Sequence, residues 1–329
     1  FLLASITFYA LAKPALSDWI GQSLDIIGGH TLKNLTMPGT HDSGAYYLTS
    51  AIIPGDASGF VETAVHVSED LGIPVEDVIT PWSLAQDRDF YHQLEAGIRY
   101  IDFRCGWYKD AWHTFHWEIG NTCEILMRNV SQFLNDHPQE VVILEISHFD
   151  GDPSDQDIAD LEDLVIDILG AYLYHVDPTF SATIQELVET DQRALVTMDK
   201  RSGRYNNRLW DSDTAIHNTY ADSDKKSDME DYNKDHIKDY LSGSHSSQLY
   251  KISWTLTPAA DAILKAPLPG TPNSLKELAD TANKALLSFY KTSVTDKLVP
   301  WGNIVIIDHF ENSPLLDVIL DMNGVAPLS

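Results

Sequence analysis

Basic residues are scarce in this chain of 329 residues, where 22 lysines and arginines stand against 49 aspartates and glutamates, a formal net charge of −27. Nucleic-acid-binding proteins gain affinity from clustered lysine and arginine, so this deficit argues against that class. A polybasic membrane-surface protein is disfavoured for the same reason. Long apolar runs are missing too, since none approaches the roughly 20 residues of a membrane-spanning helix. The hydrophobic fraction of 43% is instead typical of a folded globular protein.

Cysteine is almost absent, because the chain has only Cys105 and Cys123. In an oxidising compartment a bridge between them would add about 3 kcal/mol to stability, and the alternative is a pair of buried free thiols. Two sequons, Asn34-Leu35-Thr36 and Asn129-Val130-Ser131, fit N-glycosylation. We therefore expect a secreted glycoprotein with one disulfide.

The first residues form the longest apolar run, Phe1–Ala12, inside an N-terminal extension of residues 1–16. We expect this run to be a core strand, and the alternative is the remainder of a signal segment.

Strand-like and helix-like segments alternate along the chain, which is typical of a parallel sheet with crossover helices. The expected strands are 32–37, 97–103, 112–115, 141–146, 194–198, 250–254 and 303–307. Neither a repeat nor a proline-rich linker divides them, so we predict one α/β domain over residues 1–329, a closed or nearly closed β/α barrel. The polar stretch 211–239 is expected to be a long loop over the barrel mouth, or a disordered loop.

Histidines, one arginine and several carboxylates directly follow the predicted strands. Barrel enzymes carry their catalytic groups at these carboxyl-terminal strand ends. Each residue alone is more simply a cap or a solvated side chain, but together they predict a site. The set comprises His41, Asp42, Asp102, Arg104, His113, His116, Glu145, Ser147, His148, Asp308 and His309.

The chemistry of this set suits a phosphodiester. One histidine would accept a proton from an attacking hydroxyl and another would donate a proton to the leaving alkoxide. Arg104 would supply a permanent positive charge whose geometry matches two phosphate oxygens. An aspartate bonded to a histidine would fix its tautomer and raise its basicity.

Five segments resemble the catalytic X domain of phosphatidylinositol-specific phospholipases C, especially the bacterial type and its eukaryotic relatives: PGTHDSG, YIDFRCG, FHWEIG, FLNDHPQEVVILEISHF and NIVIIDHF. The resemblance runs from about residue 16 to residue 322. It implies a distorted TIM-type barrel. It also implies a reaction in which the inositol 2-hydroxyl attacks phosphorus, releasing diacylglycerol and a cyclic inositol phosphate.

The resemblance also implies roles for individual residues. His41 corresponds to the general base, Asp308 to its carboxylate partner and His116 to the general acid. Arg104 stands where calcium-dependent members carry a metal-binding carboxylate, so we expect no metal and no other cofactor.

Further positions correspond to groups that orient the machinery or bind the headgroup. Asp42 and Asp102 would orient Arg104 and the second proton donor. Lys200 or Arg201 would hold the inositol ring, and Asp222 would bind ring hydroxyls.

The sequence departs from the family at two places. Trp117 follows His116 where members usually have glycine, which leaves His113 as a rival general acid. Asp224 falls where bacterial members have a tyrosine that stacks on inositol. The second departure questions the inositol headgroup more than the phosphodiester chemistry.

The leading hypothesis is a secreted phosphodiesterase acting on a phosphoinositide, a glycosyl-phosphatidylinositol lipid or a soluble phosphodiester. Peripheral membrane contact would use four aromatic residues, Trp107, Tyr108, Trp112 and Trp210, unless they pack in the core. One alternative is a metal-dependent enzyme resembling glycerophosphodiesterases. The other is a weakly active or inactive barrel that serves as an extracellular structural or interaction protein. The charge of −27 is a constraint on all three, because an acidic protein is repelled by anionic bilayers.

Overall fold

The computed structural model describes residues 13–54, 59–259, 261–265 and 270–328. The strand predicted over Phe1–Ala12 therefore lies outside the described residues. The strands are β1 (Met37–Thr40), β2 (Leu48–Ile52), β3 (Tyr100–Tyr108), β4 (Ala111–His116), β5 (Glu118–Thr122), β6 (Val142–His148), β7 (Ala194–Met198), β8 (Trp210–Asp211), β9 (Ile216–Thr219), β10 (Leu249–Trp254) and β11 (Ile304–Ile307).

Helices connect most of these strands. They are α1 (Leu24–Ile27), α2 (Gly59–Leu71), α3 (Val75–Ser83), α4 (Phe90–Glu95), α5 (Cys123–Asp136), α6 (Asp155–Leu169), α7 (Ile184–Glu189), α8 (Ser212–Ala215), α9 (Lys226–Leu241), α10 (Ala262–Lys265), α11 (Leu275–Thr295) and α12 (Leu315–Met322). Within the described part of the chain, no helix combines the length and the apolarity needed to cross a bilayer.

Eight strands run parallel in the order β8-β7-β6-β3-β1-β11-β10-β9. Among the described strands no hydrogen bonds join β8 to β9, so the barrel is not closed by hydrogen bonds at that point. Antiparallel strands β4, β5 and β2 extend the sheet from β3. The predicted α/β fold, a distorted barrel of the TIM type, is confirmed.

Alternate residues of the parallel strands face different surroundings, as the two-residue period of a strand requires. In β6, Val142, Leu144 and Ile146 pack in a cluster that includes the surrounding helices. Ile143 points the other way, into a second apolar cluster at the amino-terminal end of the barrel. Further along β6, Glu145 and Ser147 line a polar cavity. The barrel interior is therefore apolar where its strands begin and polar where they end.

The polar stretch Asp211–Asp239 is not a long loop, and that prediction is wrong. It contains α8, strand β9 and most of α9. Helix α9 has few buried residues, which are Met229, Asn233 and Ile237. These three residues are spaced by four positions, so they lie on one face of the helix. The other residues of the helix are mostly polar, which hides the apolar spacing in the sequence.

Cys105 and Cys123 are buried free thiols whose Sγ atoms lie 2.9 Å apart. Cys105 belongs to β3 and Cys123 begins α5. The pairing of these two positions was expected, whereas their oxidation, and the secretion that would accompany it, stay predictions.

A buried ion pair joins the start of the described chain to the amino-terminal end of the barrel. Arg99 and Glu140 are both fully buried, with Arg99 Nε 2.7 Å from Glu140 Oε2. The guanidinium also donates to the carbonyls of Leu16 and Ser17. The carboxylate accepts the backbone N–H of Gly21 at 2.8 Å. These contacts fix the segment that covers the second apolar cluster.

We predict that Glu140→Ala lowers the free energy of unfolding by about 3–5 kcal/mol, because it leaves Arg99 buried without a counter-charge. Chemical denaturation monitored by fluorescence measures this. The matched control is Glu124→Ala, which breaks an exposed glutamate–arginine pair with Arg128 and should cost less than about 1 kcal/mol. Equal effects of the two substitutions would contradict the prediction.

Candidate active site

A cavity of about 630 Å³ opens at the carboxyl-terminal ends of the parallel strands. Residues from β3, β6, β9 and β10 line it, together with residues that directly follow β1, β4 and β11. Backbone geometry alone brings these side chains together, because all the parallel strands end at the same edge. The predicted residues in the lining are His41, Asp102, Arg104, His116, Glu145, Ser147, His148, Asp222 and Asp308.

His41 follows β1 and is oriented by Asp308. Its Nδ1–H donates to Asp308 Oδ1 at 2.8 Å, which leaves Nε2 facing the cavity. Burial by itself would lower the pKa of His41, but the carboxylates of Asp308 and Asp42 raise that pKa to about 9. The free protein at neutral pH therefore carries a proton on His41.

Arg104 and Asp42 form an ion pair at the centre of the site, between Arg104 Nε and Asp42 Oδ1. Arg104 Nη2 lies 3.1 Å from His41 Nε2. The other Asp42 oxygen, Oδ2, lies 3.8 Å from His41 Nε2 and 3.5 Å from His116 Nε2. One carboxylate thus stands between the arginine and both histidines.

His116 ends β4 with its Nδ1–H donated to the backbone carbonyl of Ser83 at 2.7 Å. Its Nε2 is therefore the nitrogen near Asp42. Burial lowers the pKa of His116, and the positive charges of Arg104 and His41 lower it further, against the opposing effect of Asp42. The pKa of His41 is therefore raised and the pKa of His116 is lowered, so in the free protein the positively charged ring is His41.

The turn after β1 shows why the segment PGTHDSG folds as it does. Asp42 has a left-handed backbone, with φ of 42°, and its N–H donates to Asp102 Oδ2 at 3.0 Å. Asp102 is held ionised: burial would raise its pKa, but Lys251, Arg104 and His41 lower that pKa to about 2. A Cβ on Gly44 would lie 2.0 Å from Thr114 Oγ1, so this turn can approach β4 only with glycine there.

Trp117 occupies a backbone conformation that favours glycine, with φ of 59°. Its ring stacks on His116 at 4.6 Å between centroids and on Phe60 at 4.3 Å. The tryptophan therefore forms part of the cavity wall and packs against the imidazole of His116. The rival candidate, His113, is outside the described lining and donates to the Gly120 carbonyl at 3.1 Å.

Two of the predicted headgroup residues are not brought to the cavity. Neither Lys200 nor Arg201 is among the described residues that line it. Arg201 instead pairs with Asp211 at 2.9 Å and donates to the Leu209 carbonyl. Asp222 does line the cavity, as predicted.

The cavity contains residues that the sequence reading missed. Asn218 and Tyr220 line it, and Tyr220 is 55% exposed. The Tyr220 ring is thus present at the cavity mouth, four positions before Asp224. Asp224 itself is absent from the described lining. Lys251 and Ser253 of β10 also line the cavity. The signal was available: in segment KISWT, polar residues alternate with apolar ones, as in a strand with one polar face.

Two of the aromatic residues expected at a membrane interface belong to the core. Trp112 is 7% exposed and Trp210 is 3% exposed. Their ring nitrogens donate to the carbonyls of Asp157 and Tyr174. For these two residues the alternative of core packing is confirmed.

One group of side chains has the composition of a metal site. A ligand atom from each of His41, Asp42 and Asp102 lies within 4.8 Å of the others. However, Asp42 Oδ1 is paired with Arg104, and Asp102 Oδ2 accepts the Asp42 N–H. The Arg104 guanidinium is therefore already the counter-charge for these carboxylates. Calcium prefers six or more oxygen ligands, so such a divalent cation fits these three residues poorly.

Fold and site together define a β/α-barrel protein whose described cavity lining holds three histidines, His41, His116 and His148, and one arginine, Arg104. A family model for the PI-PLC X domain (PI-PLC X 1) matches residues 80–223. PI-PLC X domain-containing protein 3 of Danio rerio is 31% identical over 139 residues, 41% of this chain and 42% of that protein. Human PI-PLC X domain-containing protein 1 is 28% identical over 216 residues, 63% of this chain and 65% of that protein. These matches therefore cover less than two thirds of either relative.

Solved structures extend the fold comparison to nearly the whole chain. The phosphatidylinositol-specific phospholipase C of Listeria monocytogenes superposes with a TM-score of 0.61 at 19% identity, over 93% of this chain and 98% of that one. A Staphylococcus aureus phosphatidylinositol-specific phospholipase C gives 0.65 at 15% identity, over 96% and 99%. The resemblance to the phosphatidylinositol-specific phospholipase C X-domain family is confirmed.

We predict that Asp308→Asn lowers the pKa of His41 by about one to three pH units, because it removes a negative charge in direct contact with the imidazole. Asparagine keeps an oxygen that accepts from Nδ1–H. NMR titration of the His41 ring resonances measures the change without requiring activity. Asp25→Asn, an exposed substitution on α1, is the control and should leave the midpoint unchanged. An unaltered midpoint in Asp308→Asn would contradict the assigned electrostatics.

Proposed function

We propose that the protein is a phosphodiesterase of the phosphatidylinositol-specific phospholipase C class, cleaving an inositol or related phosphodiester by attack of a headgroup hydroxyl. The observation that carries the proposal is the convergence of His41 and His116 on one cavity beside Arg104. Both histidines use Nδ1 for a protein acceptor and present Nε2 to the space where a phosphorus centre would lie.

The two histidines divide the proton transfers. Neutral His41 takes the proton of the attacking hydroxyl on Nε2 while that oxygen forms its bond to phosphorus. Asp308 stabilises the imidazolium that results. Protonated His116 gives its Nε2 proton to the departing alkoxide as the old P–O bond breaks. An alcohol and a cyclic phosphodiester leave, and attack of water on the cyclic ester would reverse both histidine roles.

Arg104 would neutralise the charge of the phosphoryl oxygens. Asp42 fixes its Nε, so the guanidinium presents Nη2 towards His41 and the cavity. A phosphodiester oxygen would accept from this Nη2 donor, and His41 Nε2 acts as a base in the form of the protein in which His41 is neutral. We propose that this arrangement works without calcium or another metal.

The substrate classes follow from the class of enzyme. A phosphoinositide, a glycosyl-phosphatidylinositol lipid and a soluble phosphodiester all carry the required diester, and the first two imply peripheral contact with a membrane. Secretion and N-glycosylation belong to the same proposal, supported by the exposed Asn34 of one sequon.

We predict that the purified chain, in excess chelator, converts phosphatidylinositol in mixed micelles to a cyclic inositol phosphate detected by phosphorus NMR. His41→Ala and His116→Ala should each lower the rate about 10²- to 10⁴-fold, the usual contribution of a general acid or base. His113→Ala is the matched control on β4 and should retain activity within about threefold, because His113 is outside the described cavity lining.

Two results would overturn this proposal. Loss of activity in chelator, restored by a divalent cation, would favour the metal-dependent enzyme. A wild-type protein that leaves both the lipid and a soluble inositol phosphodiester intact would favour the inactive barrel.

We predict a bell-shaped dependence of kcat/KM on pH for the wild type. Activity requires that the two histidines together carry one positive charge, because His41 must be neutral and His116 protonated. Below the lowered pKa of His116 both rings are charged, and above about pH 9 the pair loses its last proton. Steady-state kinetics across this range measure both limbs. In Asp308→Asn the alkaline limb should move to lower pH, and an unmoved limb would exclude His41 as its source.

A further inference from the structure

One histidine at a strand end, His309, has no part in the proposed reaction. It directly follows Asp308 and is 4% exposed, yet it is outside the described cavity lining. Its backbone is left-handed, with φ of 44°, a conformation that is uncommon for residues other than glycine. The side-chain amide of Asn283 on α11 donates to the backbone carbonyls of Asp308 and His309. His309 is thus held in a fixed place beside the carboxylate partner of His41.

Both ring nitrogens of His309 contact hydrogen-bond acceptors. Nε2 lies 2.8 Å from the carbonyl oxygen of Leu84, and Nδ1 lies 3.1 Å from Asp87 Oδ2. Burial would raise the pKa of Asp87, but hydrogen bonds from Lys276 and His309 lower that pKa, so Asp87 is a carboxylate. A carbonyl and a carboxylate can only accept, whereas a neutral imidazole has a single N–H. The two bonds together therefore require the positively charged ring.

The connecting segment, residues 83–87, begins with the last residue of α3 and passes both histidines of the proposed reaction. The carbonyl of Ser83 accepts the Nδ1–H of His116 at 2.7 Å. The side chain of Gln86, which is buried, donates from Nε2 to the backbone carbonyl of His41 at 2.8 Å. One short segment therefore contacts the ring of the proposed acid and the backbone of the proposed base.

The peptide unit between Leu84 and Ala85 is fixed at both ends. Its carbonyl accepts from the His309 ring, and its N–H donates to the carbonyl of Ala45, in the turn after β1, at 2.9 Å. The next carbonyl, that of Ala85, accepts the backbone N–H of His309 at 2.8 Å. His309 thus holds the segment through two successive carbonyls. A displacement of the ring would reach the Ser83 carbonyl through a single peptide unit.

We propose that His309 is a positioning residue for both histidines of the proposed reaction, because its ring holds the segment that supplies an acceptor to His116 and a donor to His41. The inference rests on the proposed function for the roles of those two histidines. It gives His309 no contact with the substrate or with the reacting atoms. Loss of the ring contacts should therefore lower the rate of reaction and leave substrate binding intact.

Three substitutions separate the two ring contacts. His309→Gln places an amide donor near the position of Nε2, facing the Leu84 carbonyl. His309→Asn places its donor near the position of Nδ1, facing Asp87, and His309→Ala has neither donor. Because Leu84 adjoins Ser83, kcat on phosphatidylinositol micelles should fall roughly 10- to 100-fold in the asparagine and alanine variants and less than about threefold in the glutamine variant. KM should stay within about twofold of the wild-type value in all three, since none contacts substrate.

NMR titration of the His116 ring measures the effect without requiring activity. Burial lowers the pKa of His116 most, and the hydrogen bond to the Ser83 carbonyl opposes that effect. In His309→Asn this bond should weaken, so the midpoint of His116 should move to lower pH, and the acid limb of kcat/KM should move with it. His309→Gln also removes the charge of the ring but keeps the Leu84 contact, so its midpoint should stay near the wild-type value. The substitution leaves in place the other charged groups that face His116: Asp42, Arg104 and His41.

The matched control is His137, a histidine between α5 and β6 at the opposite end of the barrel. Its Nδ1 is 2.8 Å from Asp18 Oδ1, and its Nε2 is 3.5 Å from Glu95 Oε1. His137→Asn should lower the melting temperature while kcat and the midpoint of His116 stay unchanged. The control therefore separates a general loss of stability from a loss of positioning.

A second variant is available if the His309 substitutions prevent folding. The Asp87 side chain is 31% exposed, and Asp87→Asn removes the charge that favours the doubly protonated ring. A neutral ring holds one of its two bonds, so the midpoint of His116 should move in the same direction by a smaller amount. Asp296→Asn, which breaks another exposed aspartate–lysine pair, with Lys234, is its control and should leave the midpoint unchanged.

The results separate this inference from the proposed function. Unchanged kcat and an unchanged His116 midpoint in His309→Asn and His309→Ala would overturn the positioning role alone. A shift confined to the alkaline limb would also overturn it, because the effect would then act through the neighbouring Asp308. Equal losses in the glutamine and asparagine variants would assign the effect to the ring's charge and contradict the role of the Leu84 contact. A His116 midpoint that depends on His309, in a protein that cleaves no phosphodiester, would overturn the proposed function alone.

Discussion

The site depends on the ion pair between Asp42 and Arg104. One oxygen of the Asp42 carboxylate contacts the guanidinium. The other oxygen lies within 4 Å of Nε2 of both His41 and His116. The left-handed turn at Asp42 makes this possible, and Asp102 holds that turn through its bond to the Asp42 N–H. Such strain persists only where the surrounding structure fixes it, as the bonds to β3 do here. The geometry of the groups proposed for proton transfer thus follows from one short turn after β1.

Local sequence predicted this part of the molecule well, because each candidate catalytic group is fixed by its own strand. His41 and Asp308 are far apart in sequence, yet β1 and β11 are hydrogen-bonded neighbours whose ends deliver both residues to one point. The strand pattern was sufficient for β7, which was predicted within its observed bounds. Short strands such as β8 and β9, with two and four residues, give too little periodicity to be found in the same way.

Headgroup residues were harder to place, because they depend on how loops leave the strands. Arg201 follows β7 closely in sequence, but its pairing with Asp211 turns the guanidinium away from the cavity. Lys251 shows the opposite case, as a cation within an apolar strand that faces the barrel interior. Composition alone suggests that a lysine is at the surface. Its alternation with Tyr250 and Ile252 is what indicates an inward direction.

Part of the net charge of −27 lies in the cavity. Six carboxylates are in the described cavity lining, against the cations Arg104, Lys251 and protonated His41: Asp102, Glu145, Asp199, Asp213, Asp222 and Asp308. Acidity is thus present at the site itself, and is not confined to segments such as 150–167. This has a consequence for His116, whose pKa is lowered in the free protein. A phosphodiester bound beside Arg104 would partly cancel that cation and add its own negative charge near His116, so substrate binding would itself favour protonation of His116, the proposed general acid. The anion bound at Arg104 would therefore help to prepare the site for reaction.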